Sequence, residues 1–449
     1  MLTRLTTLLL TCASFAIAAE PLPRLKVADD HRTLITADGK PWVYLGDTAW
    51  ELFHRLNRED ADAYLADRAT KGFNVIQAVA LAEFGGLVEP NAYGHLPLEN
   101  NDPTKPLEPY FQHVDYIVDK AASLGMRVGF LPTWGDKVNK KWGKGPEIFT
   151  PENARIFGEW LGRRYKDKPI IWIVGGDRPV ENSAHLEIWR AMAAGLRAGD
   201  GGAHLLTYHP MGGRSSSEYV HAEPWLDFNM LQSGHGDRNR PNYKMVAKDL
   251  AMMPPKPTLD GEPAYEDHPV RSDKTKTQWF DEWDVRKLCY WGLLAGACGH
   301  TYGTHSIWAM WDGKGKPPVD QRTPWKEALK LPGSTQVGYA KKLLENRPLV
   351  GRVPDQTLLV SDLGDGAAHC QALRGADSSW AIIYSASGRS FSVVLGKFSA
   401  KKLNAAWFDP RTGKKLVPTT IANDREPREF TPPTSGEAQD WVLLLDTAP

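Results

Sequence analysis

Four cysteines in 449 residues are too few for a disulfide framework. Cys12 falls in an N-terminal apolar run, and if Cys289 and Cys298 share one helix, nine residues of rise hold them too far apart to bridge. With Cys370 they read as small buried hydrophobes. No Cys/His spacing matches a zinc site, and none argues for a metal held by His209, His235 and His305, so neither metal nor cofactor is expected. Charge of one sign is missing as well. The 54 Lys+Arg balance 54 Asp+Glu, which argues against nucleic acid or an anionic membrane as partner. The Gly-rich phosphate fingerprint of doubly wound dinucleotide-binding sheets is absent. Past residue 19 no apolar run is long enough to span a bilayer.

Tryptophan, by contrast, is abundant: 17 residues against 14 Tyr and 14 Phe. Flat amphipathic rings in that number suit a cleft that stacks sugar rings. Residues 1–19 read as a secretory leader, with Arg4, an apolar run over 8–17 and the small-residue site Ala16-Ile17-Ala18. A lipoprotein reading at Leu10-Thr11-Cys12 is poor because Thr precedes the Cys. The expectation is an exported chain, periplasmic or extracellular, of undetermined oligomeric state.

Strand-like and helix-like segments alternate down the first three quarters of the chain. The buried-strand pattern appears at 41–50, 74–81, 127–134, 170–175, 204–209, 228–233, 257–260 and 300–308. Helical spacing fills the intervals at 57–73, 110–124, 151–165, 185–197, 243–252 and 279–296, with Asn57 as an N-cap and Pro151 in a first turn. Eight such strands imply a (β/α)8 TIM barrel over residues 20–348. The texture changes near 346–354. Short alternating runs at 357–361, 369–373, 380–385, 391–394, 403–408, 428–431 and 440–445 then predict a small all-β sandwich over 349–449.

Two strands end in the same way. Ile170-Ile171-Trp172-Ile173-Val174 runs into Gly175-Gly176-Asp177, and Thr258-Leu259-Asp260 into Gly261-Glu262-Pro263. A carboxylate at the C-terminal end of a buried barrel strand is where such a fold keeps its chemistry. A cap or a rim ion pair would explain either acid alone. Together, on the fourth and seventh strands, Asp177 and Glu262 form the carboxylate pair that glycoside hydrolysis requires, one to protonate the leaving oxygen and one to attack the anomeric carbon or activate water. Other strand ends supply candidate substrate-binding groups: Asp47, Trp50, Gln77, Trp134, Asp136, His209, His235, Tyr265, Tyr302, His305 and Trp308. The cation of Arg178 would oppose an acid role for Asp177, so its side chain is expected to point away from the cleft.

The stretches Tyr44-Leu45-Gly46-Asp47-Thr48-Ala49-Trp50, Lys71-Gly72-Phe73-Asn74-Val75-Ile76-Gln77, Trp172-Ile173-Val174-Gly175-Gly176-Asp177 and Leu259-Asp260-Gly261-Glu262-Pro263 resemble the apiosidase-like glycoside hydrolase family over residues 25–345. The tail, with Trp407-Phe408-Asp409-Pro410-Arg411-Thr412-Gly413, resembles the small β domain that accompanies it. The resemblance implies a retaining glycosidase with Asp177 as acid/base and Glu262 as nucleophile. It also implies an oligosaccharide or polysaccharide substrate from the plant cell wall, namely apiose-linked side chains of the pectin rhamnogalacturonan II. Two other readings stay open: a catalytically idle carbohydrate-binding protein, and an adhesin that binds matrix through the tail.

Overall fold

The computed structural model describes residues 21–360 and 363–448, so the expected leader lies outside the described residues. A three-stranded antiparallel sheet (Leu25–Val27, Leu34–Thr36, Pro41–Trp42) comes first. Eight barrel strands follow: β1 (Tyr44–Thr48), β2 (Val75–Leu81), β3 (Arg127–Thr133), β4 (Ile170–Gly175), β5 (Leu206–His209), β6 (Asn229–Gln232), β7 (Thr258–Asp260) and β8 (Gly299–Tyr302). Parallel ladders join them in the order β5-β4-β3-β2-β1-β8-β7-β6. The seam between β5 and β6 carries no ladder and is stitched instead. The Asp227 N–H donates to the Leu206 carbonyl at 2.9 Å, and the Thr207 hydroxyl to the Phe228 carbonyl at 2.7 Å.

Side chains alternate across this sheet, and both faces are covered. On β4, Ile171 and Ile173 point into the barrel, while Ile170, Trp172 and Val174 pack outward against helices. That double burial is why the strand reads as one unbroken apolar run. Leu34 and Trp42 of the leading sheet pack on Val75, Ile171 and Phe228 at the strands' N-terminal ends. One mouth is thereby filled, and the chemistry is left to the other.

The surrounding helices are α1 (Arg58–Thr70), α2 (Glu108–Ser123), α3 (Pro151–Tyr165), α4 (Ser183–Asp200), α5 (Asn242–Leu250), α6 (Glu282–Leu294) and α7 (Gly333–Glu345). Asn57 caps α1 by accepting from the Asp60 N–H, and Pro151 opens α3, both as expected from the sequence. The last barrel strand is shorter than the pattern suggested, ending at Tyr302 before a run of turns. No helix among the described residues is long and apolar enough to cross a membrane. Cys289, Cys298 and Cys370 are buried, and burial pushes the Cys298 thiol up to about 12.

The all-β tail is a seven-stranded antiparallel sheet facing a two-stranded one. Its strands are β9 (Val353–Pro354), β10 (Cys370–Arg374), β11 (Trp380–Ser385), β12 (Phe391–Val394), β13 (Lys402–Asp409), β14 (Lys414–Lys415), β15 (Thr419–Ala422), β16 (Pro427–Phe430) and β17 (Trp441–Ala448). β12 and β16 form the small sheet, and Phe391 and Val393 pack on Ile383 and Leu443 of the large one. The strand expected from residue 357 is instead a 3-10 turn at Gln356–Leu358, because Asp355 accepts from the Thr357 N–H and hydroxyl and bends the chain there.

The tail shares a core with the barrel. Tyr290 of α6 stacks on Tyr384 with centroids 4.7 Å apart, and the Trp283 indole donates to the Ala386 carbonyl at 2.9 Å. Buried among them, the Arg286 guanidinium donates to both oxygens of Asp440, at 2.8 and 2.6 Å.

Candidate active site

Asp177 and Glu262 emerge on the same mouth of the barrel, each two residues past a strand end. The turn that presents Asp177 is unusual: Gly175, Gly176 and Asp177 all have positive φ, at 95°, 130° and 51°. A Cβ on Gly175 would lie 2.4 Å from the His209 carbonyl, and one on Gly176 2.7 Å from the Gly135 nitrogen, so both positions require glycine. Asp177 has no such exemption and is held in a sparsely populated conformation, as happens where a side chain must be aimed.

Glu262 sits deeper, with its side chain 7% exposed against 26% for Asp177. Two histidines address it. The Asp177 N–H donates to His209 Nδ1 at 3.3 Å, so the neutral His209 ring carries its proton on Nε2. That Nε2 stands 2.9 Å from Glu262 Oε2, off the line of a straight hydrogen bond. The Tyr265 N–H donates to His235 Nδ1 at 3.4 Å in the same manner, so His235 Nε2 donates to Glu262 Oε1 at 3.2 Å. Burial would raise the Glu262 pKa, but hydrogen bonding and electrostatic attraction from His209 and His235 win and hold it far below the ordinary carboxylate range. Asp177 moves the other way. Burial and then the charge of Glu262 raise it, against the pull of Arg178, His209 and the Trp142 indole. Two carboxyls on one rim with pKa values driven apart are equipped to act as acid and nucleophile.

Arg178 departs from the expectation that it would turn away. Its Nη1 lies 3.0 Å from Asp177 Oδ2 and also donates to the Asp177 carbonyl at 2.8 Å, because the left-handed turn folds residue 178 back over residue 177. Its Nη2 pairs with Glu83 Oε1 at 2.5 Å, and the guanidinium lies over the Trp142 ring, 4.8 Å from its centroid. Trp142, 58% exposed, donates from Nε1 toward Asp177 Oδ2 at 3.4 Å. Neither Glu83 nor Trp142 was marked by the sequence as a site residue.

The other candidates divide into two groups. Trp50 and Trp134 pack on each other and on His209, at centroid distances of 5.0, 5.3 and 5.7 Å, and Trp50 Nε1 donates to the Tyr265 hydroxyl at 3.1 Å. They floor the site beside His235 and Tyr265. His268, unmarked by the sequence, stacks on His235 and meets His305 edge-on at 4.2 Å. Trp308 Nε1 donates to His305 Nδ1 at 3.3 Å, and its ring rests on Phe84.

Asp47, Gln77, Asp136 and Tyr302 are committed elsewhere. Asp47 and Tyr302 pair in register on the outer face of the sheet. There Asp47 accepts from Arg68 and Tyr64 at 2.5 and 2.6 Å, and Tyr302 donates to Glu266 at 2.5 Å. Gln77 lies inside the barrel, donating to Tyr44 and Thr301. Asp136 is fully buried and accepts from Lys137 and from the Lys144 and Gly145 N–H groups, which fixes the loop that carries Trp142. All four are buried and hydrogen-bonded to other protein groups.

The family model described as "Apiosidase-like, catalytic domain" matches residues 28–351. The chain belongs to the apiosidase-like family. Residues 353–446 match a second model, "Putative collagen-binding domain of a collagenase". A solved structure named "Glycoside hydrolase" is 32% identical with a TM-score of 0.87, covering 95% of this chain and 97% of that one. A glycoside hydrolase family 5 structure from Bacteroides vulgatus ATCC 8482 is 31% identical with a TM-score of 0.87, over 94% of both chains. No curated protein matches this apiosidase-like chain significantly.

Proposed function

We propose that this chain is a retaining glycoside hydrolase of plant cell-wall polysaccharide, with Glu262 as nucleophile and Asp177 as acid/base. The observation that carries the reading is the treatment of Glu262: each of its oxygens faces the Nε2 of a histidine whose Nδ1 is already taken by a backbone N–H. Such a carboxylate is ionised and held still, as a nucleophile must be. In the first step Glu262 forms a bond to the anomeric carbon while the glycosidic C–O bond breaks and Asp177 gives its proton to the leaving oxygen. In the second, Asp177 takes a proton from water, which displaces Glu262. Apiose-linked side chains of pectin are the substrate favoured by family membership, and export after removal of residues 1–19 belongs to the same reading.

The pH profile follows from the two shifts. Because the Glu262 pKa is depressed, kcat/KM should hold as pH falls past 4.5, the ordinary glutamate value, and decline only below it. The alkaline limb should track the raised Asp177. An acid limb above pH 4.5 would contradict the assignment of Glu262.

Asp177→Asn gives the direct test of the acid/base. On a natural linkage kcat/KM should fall by about 10²–10⁴. An aryl glycoside with a good leaving group should lose far less in the first step, and azide should speed the second. Equal losses on both substrates, with no response to azide, would remove Asp177 from the role.

A further inference from the structure

A third carboxylate on this rim has been left without a part. Glu83 lies two residues past β2, as Asp177 lies two past β4 and Glu262 two past β7. It is fixed from both sides. The Phe84 N–H donates to the buried Glu51 at 3.0 Å, and the Glu83 carboxylate takes Arg178 Nη2 at 2.5 Å. Arg178, with its side chain 2% exposed, therefore holds one carboxylate with each terminal nitrogen.

We infer that Glu83 is a positioning residue for the acid step: by taking up Arg178 it lets Asp177 keep the proton it must donate. The inference rests on the role proposed for Asp177. A guanidinium with Asp177 alone would be neutral when Asp177 is ionised, and would therefore drive the proton off. With Glu83 ionised on its other side, the neutral combination is one guanidinium, one carboxylate and one carboxylic acid. Glu83 thus reverses the effect of a cation that would otherwise disable a proton donor.

The other groups facing this trio are few. Asp177 meets Glu262 from β7, His209 from β5 and Trp142 from the loop after β3; Glu83 meets Asp136, Asp177 and Glu51. Asp136 is tied to Lys137 at 2.7 Å and Glu51 to His54 at 3.0 Å, so neither competes for Arg178. Burial, opposed by Arg178 and helped by Asp136 and Asp177, pushes Glu83 up to about 7, and because Glu83 and Asp177 each raise the other across Arg178, the two carboxyls titrate as a coupled pair.

The experiment is a set of pH profiles of kcat/KM for the full chain and its Glu83→Gln, Glu83→Asp, Arg178→Gln and Glu83→Gln/Arg178→Gln variants. Alongside runs an infrared titration without substrate, which follows the protonated-carboxyl band that Asp177→Asn removes. Glu83→Gln should move both the alkaline limb and the band titration down by about one pH unit or more. Arg178→Gln should move them up, the double variant should lie between, and Glu83→Asp should recover most of the wild-type profile. The inference is overturned if folded Glu83→Gln loses activity equally at all pH values, or if Glu83→Gln removes the band and Asp177→Asn does not. Band shifts in a protein that cleaves no glycan would sink the proposed reaction and leave the coupling standing.

Discussion

Glu262→Gln is expected to lower turnover by about four orders of magnitude or more, the scale on which removing a nucleophile acts. An amide matches the carboxylate in shape but forms no glycosyl ester. It also presents an N–H₂ group to one of two histidine nitrogens that both carry protons, so the loss of charge comes with a donor facing a donor. The fold should survive, because the backbone turn at Gly261-Glu262-Pro263 does not depend on the charge. The thermal midpoint should move by only a few degrees. Turnover within tenfold of wild type on a pectic oligosaccharide panel would show that another group attacks.

Truncation at residue 350 is expected to give no soluble barrel. It would bare Trp283, Tyr290 and Trp291 of α6, which are buried against the tail, and leave Arg286 without Asp440. The graded form of the same test is Asp440→Ala. Asp440 is fully buried and accepts from Arg286 twice and from the Tyr384 hydroxyl at 2.9 Å, so its loss strands a cation in the core. Removing one partner of such a pair costs about 3–5 kcal/mol. Chemical denaturation should show that loss, while the folded enzyme keeps kcat/KM within a few-fold, since no tail residue belongs to the site described. A stable Asp440→Ala protein without activity would mean that the tail helps to shape the cleft.

The barrel was legible because double burial writes itself as unbroken apolar runs, and β2, β3 and β4 are each buried along their whole length. Helix α7 was not foreseen. It opens at Pro332-Gly333 without a side-chain cap, so the usual start signal is missing. Side-chain direction was harder still. Asp47 has the same parity as Leu45, which packs toward the helices, and Tyr302 pairs with it in register, so both turn away from the mouth. Gln77 has the parity of Val75 and Val79 and is enclosed in the barrel. Counting alternation outward from the apolar neighbours would have separated Asp47 and Tyr302 from Trp50 and His209, whereas Gln77 shares the inward parity of the latter two and differs by lying within its strand rather than at its end. Glu83 was visible too, at the offset from its strand that Asp177 and Glu262 share, but it read as the first residue of a loop. The direction of Arg178 was not readable, because it depends on Asp177 adopting a left-handed conformation that pattern gives no reason to assign to aspartate.

The central claim is a double displacement through Glu262, and the anomeric form of the first sugar released tests it most directly. Proton NMR of the reaction in its first minutes, on whichever oligosaccharide the enzyme cleaves, should show the anomer of the substrate's own configuration before mutarotation mixes the two. Appearance of the opposite anomer first would mean that water attacks directly, and would contradict the assignment of Glu262 as nucleophile.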